Sequence, residues 1–303
     1  MTMPPESEWQ LPEPLSTHDV RVDDDTVITL RRHGNPAGPR LVLSHGNGLA
    51  IDLYVPFWSL LADDFDLIVY DLRNHGWNPV GPLGSHTVPT LVQDNDRVLK
   101  AIDRHYGKKP KVGVYHSISA LATLLSPSKG SDFAARVLFD PPLCKPGRGL
   151  QEFEAAATRL SEMTRHRTPR FRSRDELASV LPFLPHFQHV VPGVPDLFAK
   201  TTLRECASGD GYELCCPREY EAQIIQYAGA FSVLVDLGSL ASPTKVIGAD
   251  PTLPYSYLPT LDLSDVFTVG YDFLPDATHF LQLEQPEECV KVMREFLEPI
   301  LRA

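Results

Sequence analysis

The chain has 303 residues, a formal net charge of −11 at pH 7, and 43% hydrophobic residues. That composition supplies a sizeable core, and the length fits one large α/β domain or two small ones. The acidic balance argues against a nucleic acid or an anionic membrane surface as partner, because both reward a basic surface.

The sequence predicts neither a signal peptide nor a membrane-spanning helix. Residues 1–8 hold neither the basic start nor the apolar run of a signal peptide, and no apolar run approaches the roughly 20 residues of a membrane-spanning helix. Five cysteines include no C-x-x-C pair. The vicinal Cys215 and Cys216 could form a strained disulfide or bind a soft metal, but buried free thiols are more common. We expect a reduced, cytoplasmic protein without a cofactor or metal.

The first elements predict a hairpin followed by a buried strand. Residues 1–17 are rich in proline and acid and predict a surface arm. Residues 19–22 and 26–32 alternate like two hairpin strands. Residues 40–44 are apolar on both faces, as in a central parallel strand. The strand ends at His45-Gly46-Asn47-Gly48, where glycine allows close approach of the backbone to a ligand, and a plain strand-to-helix turn is an equal alternative.

A second group of elements surrounds Ser117. Residues 66–70 predict a strand that ends at Asp71, and residues 91–106 predict an amphipathic helix. Residues 111–116 predict a strand, and an apolar helix follows over residues 120–125. Ser117 lies at the junction, where a sharp turn would lift its side chain above the sheet edge. Taken alone, a serine in this position is more often a helix N-cap than a nucleophile.

The remaining elements complete an alternating pattern. Residues 136–139 and 244–249 predict strands that end at Asp140 and Asp250, residues 266–269 predict the last strand, and residues 287–301 predict the closing helix. The pattern indicates a doubly wound α/β fold with a mostly parallel sheet of about eight strands and helices on both faces. Residues 145–242 predict an inserted helical lid between two core segments, 1–144 and 243–303. Their basic run from Arg165 to Arg174 could bind phosphate, but a solvated face is the simpler interpretation.

Several motifs together resemble the α/β-hydrolase family. The stretch from Tyr115 to Ser119 resembles its G-x-S-x-G nucleophile elbow, with tyrosine and serine in place of the two glycines. His45-Gly46, the segment from Asp71 to Gly76, and a histidine between the last strand and last helix, His279, are also similar. The resemblance covers the chain from about residue 19 onward, and it implies that His75 is a structural residue.

The resemblance implies a catalytic triad of Ser117, Asp250 and His279, with the backbone amides of Asn47 and Ile118 as the oxyanion hole. Asp140, at the other strand end, is the alternative acid. These residue types suit the chemistry: a histidine near pKa 6.5 can take the serine proton, an acid fixes its tautomer, and amides stabilise the oxyanion.

The expected function is a serine hydrolase that cleaves an ester, thioester or lactone of an apolar small molecule through an acyl-serine. Apolar side chains in the predicted lid suggest the apolar substrate: Leu181, Phe183, Leu184, Phe187, Leu197, Phe198, Tyr227 and Phe231. A cofactor-free C–C hydrolase or lyase on the same triad is one alternative, and a non-catalytic ligand-binding protein of the same fold is another.

Overall fold

The structure is a computed structural model that describes residues 9–144, 147–253 and 269–302. Its centre is an eight-stranded, mostly parallel sheet, which confirms the predicted fold class. The strands of this sheet are β1 (Ser16–Arg21), β2 (Val27–Gly34), β3 (Arg40–Ser44), β4 (Asp66–Tyr70), β5 (Lys111–His116), β6 (Ala135–Phe139), β10 (Thr244–Gly248) and β11 (Gly270–Phe273).

The strand order is β1-β2-β4-β3-β5-β6-β10-β11. The predicted hairpin forms the antiparallel edge, since β2 pairs antiparallel with both β1 and β4. From β4 to β11 all neighbours are parallel, so their carboxyl ends meet at one edge. In this order β6 is the direct neighbour of β5, whereas β10 lies one strand further away.

Helices cover both faces of the sheet. The helices of the core are α1 (Val55–Trp58), α2 (Val88–Tyr106), α3 (Ile118–Leu124), α8 (Leu281–Glu284) and α9 (Pro286–Arg302). Alternate strand residues enter opposite cores: Leu41 and Leu43 pack with α1 and α9, whereas Val42 packs with α2 and α3. Both faces of the central strands are therefore removed from water, which explains their continuous apolar runs.

An insertion between β6 and β10 carries helices and a small sheet of its own. Its elements are α4 (Arg148–Arg165), β7 (Arg170–Phe171), α5 (Arg174–Ala178), α6 (Val194–Thr202), β8 (Leu203–Glu205), β9 (Tyr212–Leu214) and α7 (Arg218–Ser232). The sequence predicted a helical lid here and did not indicate the antiparallel sheet β7-β9-β8, because strands of two or three residues are too short for a readable alternation.

Other predictions concern single segments. Residues 266–268 of the predicted last strand lie outside the described residues, and the strand observed near that place is β11. Cys215 and Cys216 are buried free thiols. Among the helices that the structure describes, none is long and apolar enough to cross a membrane.

Candidate active site

Ser117 occupies a sharp turn between β5 and α3. Its backbone has φ 53° and ψ −118°, a conformation that is costly for a residue with a side chain. A hydrogen bond from the Ser117 amide to the Phe139 carbonyl, at 2.9 Å, ties the turn to β6. The turn carries the serine side chain beyond the carboxyl end of the sheet, where the edge is open to a ligand.

His279 lies within hydrogen-bond distance of Ser117. It follows β11 in the loop before α8, and its Nε2 is 3.1 Å from Ser117 Oγ. Its Nδ1 is 2.6 Å from Asp140 Oδ2. Because a carboxylate only accepts, the proton lies on Nδ1 and Nε2 is left to accept the serine proton. This is the tautomer that a general base needs.

Asp140 holds the imidazole from the end of β6. The Asp140 side chain is almost fully buried, with 2% of its surface exposed. Its second carboxylate oxygen, Oδ1, accepts a hydrogen bond from the Ala249 amide at 3.1 Å. The carboxylate is therefore fixed on both sides, with one oxygen committed to the backbone and the other to His279.

The structure corrects the preference for Asp250 as the acid of the triad. Both Asp250 oxygens close their own loop: Oδ1 accepts from the Thr252 hydroxyl and amide at 2.6 and 2.8 Å, and Oδ2 accepts from the Asp276 amide at 2.8 Å. The Thr252 hydroxyl and these amides lower the Asp250 pKa. The physical reason is strand order, because Asp140 follows the direct neighbour of the serine strand.

Tyr115 and Ser119, the residues in place of the two elbow glycines, fit the turn without crowding it. The Tyr115 ring points away from the catalytic edge into the α2–α3 core and meets Phe133 edge-on, with ring centroids 6.0 Å apart. Ser119 Oγ donates to the His116 carbonyl at 2.8 Å and lies 3.1 Å from the His116 amide nitrogen. The serine side chain thus fastens the turn that glycine usually occupies.

Two backbone amides expected in the oxyanion hole border the same space. Gly46 lies so close to Ser117 that a Cβ added to Gly46 would be 3.3 Å from Ser117 Cβ. Asn47 follows it, and Ile118 begins α3, where the first amides of a helix have no intrahelical acceptor. Asn47 and Ile118 both line the cavity that contains Ser117.

The segment from Asp71 to Gly76 supports the turn after β3. The Gly48 amide donates to His75 Nε2 at 3.0 Å, and His75 Nδ1 donates to the Arg73 carbonyl at 2.7 Å. Burial lowers the His75 pKa well below its usual value, so the ring is neutral and can accept from Gly48. This arrangement fits the structural role that the sequence implied for His75.

A cavity of about 510 Å³ lies over Ser117, between the core and the insertion. Four of the apolar side chains expected to face a substrate line it, namely Leu181, Leu184, Phe187 and Phe198. Phe183, by contrast, is 82% exposed. Further apolar lining comes from other residues of the insertion: Phe153, Ala157, Leu160, Leu177, Val180, Ile224, Ile225 and Ala228.

An ion pair with one buried partner interrupts this apolar wall. Glu221, on α7, pairs with Arg167, and both line the cavity. Burial raises the Glu221 pKa, while Arg167 opposes the shift. The Glu221 carbonyl also accepts a hydrogen bond from the Asn47 side chain at 2.9 Å. The insertion is thus attached directly to the turn that carries the expected oxyanion amide.

Among the described residues, one group has metal-ligand chemistry. Atoms of His75, His86 and Cys216 lie within 4.8 Å of one another in the interior. However, His75 Nε2 already accepts from the Gly48 amide. Burial raises the pKa of the Cys216 thiol well above its usual value, so the thiolate that binds metals is disfavoured.

The tautomer of His86 also opposes a metal at this cluster. Asn74 Oδ1 accepts from the Gly81 amide at 2.6 Å, which leaves its Nδ2 to donate to His86 Nδ1 at 2.9 Å. The His86 proton therefore lies on Nε2, and burial together with Arg73 lowers its pKa to about 4. Neither ring presents a vacant lone pair, and packing is the better interpretation.

Sequence reasoning gave no role to His116 or Tyr54, which the structure places beside the site. Tyr54 Oη lies 2.6 Å from His116 Nδ1, and His116 Nε2 lies 2.9 Å from the His279 carbonyl oxygen. The signal available was the position of His116 directly before Ser117. Tyr54 is 62 residues away from it in the chain, and no local pattern connects the two.

Comparison with known proteins agrees with this geometry. A sequence model described as the alpha/beta hydrolase family matches residues 41–292. A curated relative, poly(3-hydroxyalkanoate) depolymerase from Ectopseudomonas oleovorans, is 28% identical over 104 residues. That match spans 34% of this chain and about a third, 36%, of the relative.

Solved structures resemble nearly the whole chain. E-2-(acetamidomethylene)succinate hydrolase superimposes with a TM-score of 0.72 at 17% identity, over 93% of this chain and 99% of that one. The thioesterase domain from the curacin biosynthetic pathway gives 0.68 at 17%, over 92% and 99%. An esterase from Thermogutta terrifontis gives 0.66 at 20%, over 94% and 99%. At such identities the likeness establishes the fold.

Proposed function

Because the chain belongs to the alpha/beta hydrolase family, we propose that it is a serine hydrolase with the triad Ser117, His279 and Asp140. The observation that carries the proposal is the continuous hydrogen-bonded chain from Ser117 Oγ through His279 to Asp140, at 3.1 and 2.6 Å. Serine is a weak nucleophile without such a base, and a hydrolase is the coarsest function consistent with this arrangement.

The proposed reaction proceeds in two steps. His279 Nε2 takes the hydroxyl proton as Ser117 Oγ attacks the carbonyl, and the resulting imidazolium is stabilised by the Asp140 carboxylate. The Asn47 and Ile118 amides receive the oxyanion, each worth about 10²–10³ in rate at such a site. His279 then protonates the leaving group, and a water activated by the same ring hydrolyses the acyl-serine.

The proposed substrate is an ester, thioester or lactone of an apolar small molecule. A cavity of about 510 Å³ lies within the roughly 300–1,000 Å³ typical of small-molecule sites. Its walls are mainly aliphatic and aromatic side chains from the insertion. Such walls favour uncharged, apolar acyl groups of medium length over charged acyl groups. We therefore assign the insertion the role of a lid that forms the substrate wall.

A fluorophosphonate probe tests the proposal. We expect stoichiometric phosphonylation of the native protein, with the adduct mapped by peptide mass spectrometry to Ser117 and not to the neighbouring Ser119. The matched control is Ser117→Ala, which should keep its melting temperature and lose all labelling. A folded wild-type protein that resists the probe would refute the nucleophile assignment.

Turnover is measured separately with p-nitrophenyl esters of two to ten acyl carbons. Hydrolysis with a burst of one nitrophenolate per Ser117 supports an acyl-enzyme. A protein that binds such esters without product release would instead be a ligand-binding member of the family. A protein that is labelled by the probe but cleaves none of the esters would favour the C–C hydrolase or lyase alternative.

A further inference from the structure

His116 lies directly before the nucleophile but does not face the substrate. It is the last residue of β5 and is 1% exposed. Its ring is not among the described groups that line the cavity over Ser117. A buried polar ring at this place must be hydrogen-bonded, since a buried polar group without a partner is costly. Its two partners reveal what it does.

The first partner is the backbone of the catalytic base. His116 Nε2 lies 2.9 Å from the carbonyl oxygen of His279, and the two rings are 4.6 Å apart between centroids. A carbonyl only accepts, so the proton of His116 is on Nε2. This bond crosses from β5 to the loop before α8, which are separated by 163 positions in the chain.

The second partner connects to the turn after β3. With its proton on Nε2, His116 Nδ1 accepts from the Tyr54 hydroxyl at 2.6 Å. The Tyr54 oxygen in turn accepts from the Gly46 amide at 3.2 Å. The donors therefore all run in one direction, from Gly46 through Tyr54 and His116 to the His279 carbonyl.

Both side chains stay neutral in the interior. Burial lowers the His116 pKa well below its usual value, and the nearby His279 ring acts in the same direction. Burial also raises the Tyr54 pKa. The polarity of the connection is thus constant around neutral pH. This series of hydrogen bonds ends at the His279 carbonyl, which is not protonated around neutral pH. The series therefore fixes the positions of its members and does not transfer protons.

We propose that His116 and Tyr54 are positioning residues that hold the His279 backbone and the Gly46–Asn47 turn in register with Ser117. The inference rests on the proposed function of Ser117 and His279. Packing supports the hydrogen bonds, because a Cβ on Gly46 would lie 2.8 Å from His116 Nδ1. The His116 ring thereby fixes the position of both the proposed base and the turn that carries the expected oxyanion amide.

The experiment compares three variants in the full-length protein. His116→Leu removes both hydrogen bonds, His116→Gln retains an amide donor for the His279 carbonyl, and Tyr54→Phe removes the hydroxyl alone. Tyr227→Phe is the matched control, because Tyr227 on α7, although the sequence suggested it for the substrate wall, is 53% exposed and is not among the described residues that line the cavity. Active sites are counted by fluorophosphonate labelling to completion, so that kcat refers to competent molecules only.

We expect His116→Leu to lower kcat about 10²-fold with KM within about twofold, since small displacements of a catalytic group cost this much. His116→Gln should recover about tenfold of the loss. Tyr54→Phe should lower kcat about tenfold and weaken a trifluoromethyl ketone inhibitor by the same factor, because that analogue reports the oxyanion amides. Tyr227→Phe should match the wild type.

A purely structural role makes a different prediction: lower melting temperatures with kcat per competent site within threefold of the wild type. That result in His116→Gln and Tyr54→Phe would overturn the inference, even where His116→Leu does not fold. If the wild type itself neither hydrolyses esters nor reacts with the probe, the proposed function fails and the positioning role falls with it. An active wild type with unaffected variants refutes the positioning role alone.

Discussion

The two walls of the cavity differ in how firmly they are built. On the core side, Ser117 and Asp140 are 8% and 2% exposed and stand at the ends of adjacent buried strands. On the insertion side, Val180 and Leu184 line the cavity although 49% and 46% of their surface is exposed. The difference teaches that the sheet fixes the proposed reacting groups, whereas the proposed substrate wall belongs to a more exposed layer.

The largest effect is expected from the core wall, at Asp140. Asp140→Asn should lower kcat by about 10³–10⁴-fold, because an amide no longer stabilises the His279 imidazolium or its tautomer. Asp250→Asn is the matched control, since Asp250 bonds its own loop, and its kcat should stay within threefold. Ester hydrolysis at saturating substrate measures both. The reverse ranking would return the acid role to Asp250.

The next effect is expected at the turn that faces Ser117. In Gly46→Ala the new Cβ would meet His116 Nδ1 at 2.8 Å and Ser117 Cβ at 3.3 Å. The turn must shift, and we expect kcat to fall about 10²-fold. In Gly84→Ala the Cβ meets nothing within 4 Å, so that variant should keep wild-type kcat. Equal kcat in the two variants would contradict the conclusion that close packing around Gly46 holds Ser117 in place.

A smaller effect is expected on the insertion wall. Leu160→Ala enlarges the cavity that Leu160 lines, and it should move the preferred acyl chain one or two carbons longer. The kcat/KM of the most affected ester should change about tenfold, at the low end of the about 1–3 kcal/mol that one methylene in an apolar pocket is worth, because Leu160 is only half-buried. Thr158→Ala, on an exposed part of the same helix, is the control. If Leu160→Ala leaves the preference for acyl chain length unchanged, the insertion does not select the substrate.

The smallest effect concerns the ion pair in that wall. Arg167→Ala leaves Glu221 buried without its cation, which should cost about 1 kcal/mol of unfolding free energy, a low value because Arg167 is 47% exposed. Burial raises the Glu221 pKa above its ordinary value of 4.5. Stability from the protonated acid is therefore present below that value and is lost as pH rises through the raised pKa.

Denaturant titrations should accordingly give a larger loss for Arg167→Ala at pH 8 than at pH 4.5. Arg159→Ala, an exposed arginine on α4, should cost little at either pH. A loss that is the same at both pH values would mean that Glu221 is not the group left without a partner.

The sequence predicted the sheet, and it placed the proposed nucleophile and the proposed base at the same edge, because each depends on local order. An apolar run followed by a small residue and a helix defines the Ser117 turn, and His279 follows from its place before the last helix. The acid required knowledge of which strand lies beside β5, and that is a tertiary property. Asp140 and Asp250 both end predicted strands, and only the strand order separates them.

Two other features were hidden for a similar reason. Tyr115 stands where the elbow usually has glycine, and strand alternation turns its bulky ring away from the α1–α9 side and into the α2–α3 core. His116 was visible beside Ser117, yet its partners Tyr54 and His279 come from distant parts of the chain. Hydrogen bonds between residues so far apart in the sequence follow no repeating pattern, so a single sequence does not reveal them.

The backbone at the two strand ends also limits how this site can evolve. Ser117 and Asp140 have φ values of 53° and 39°, and a positive φ penalises β-branched side chains most. Replacement of Ser117 by an unbranched residue such as cysteine is therefore less costly for the turn than replacement by threonine, although threonine carries the same hydroxyl. The turn therefore tolerates a change of nucleophile type better than the most conservative substitution, serine to threonine.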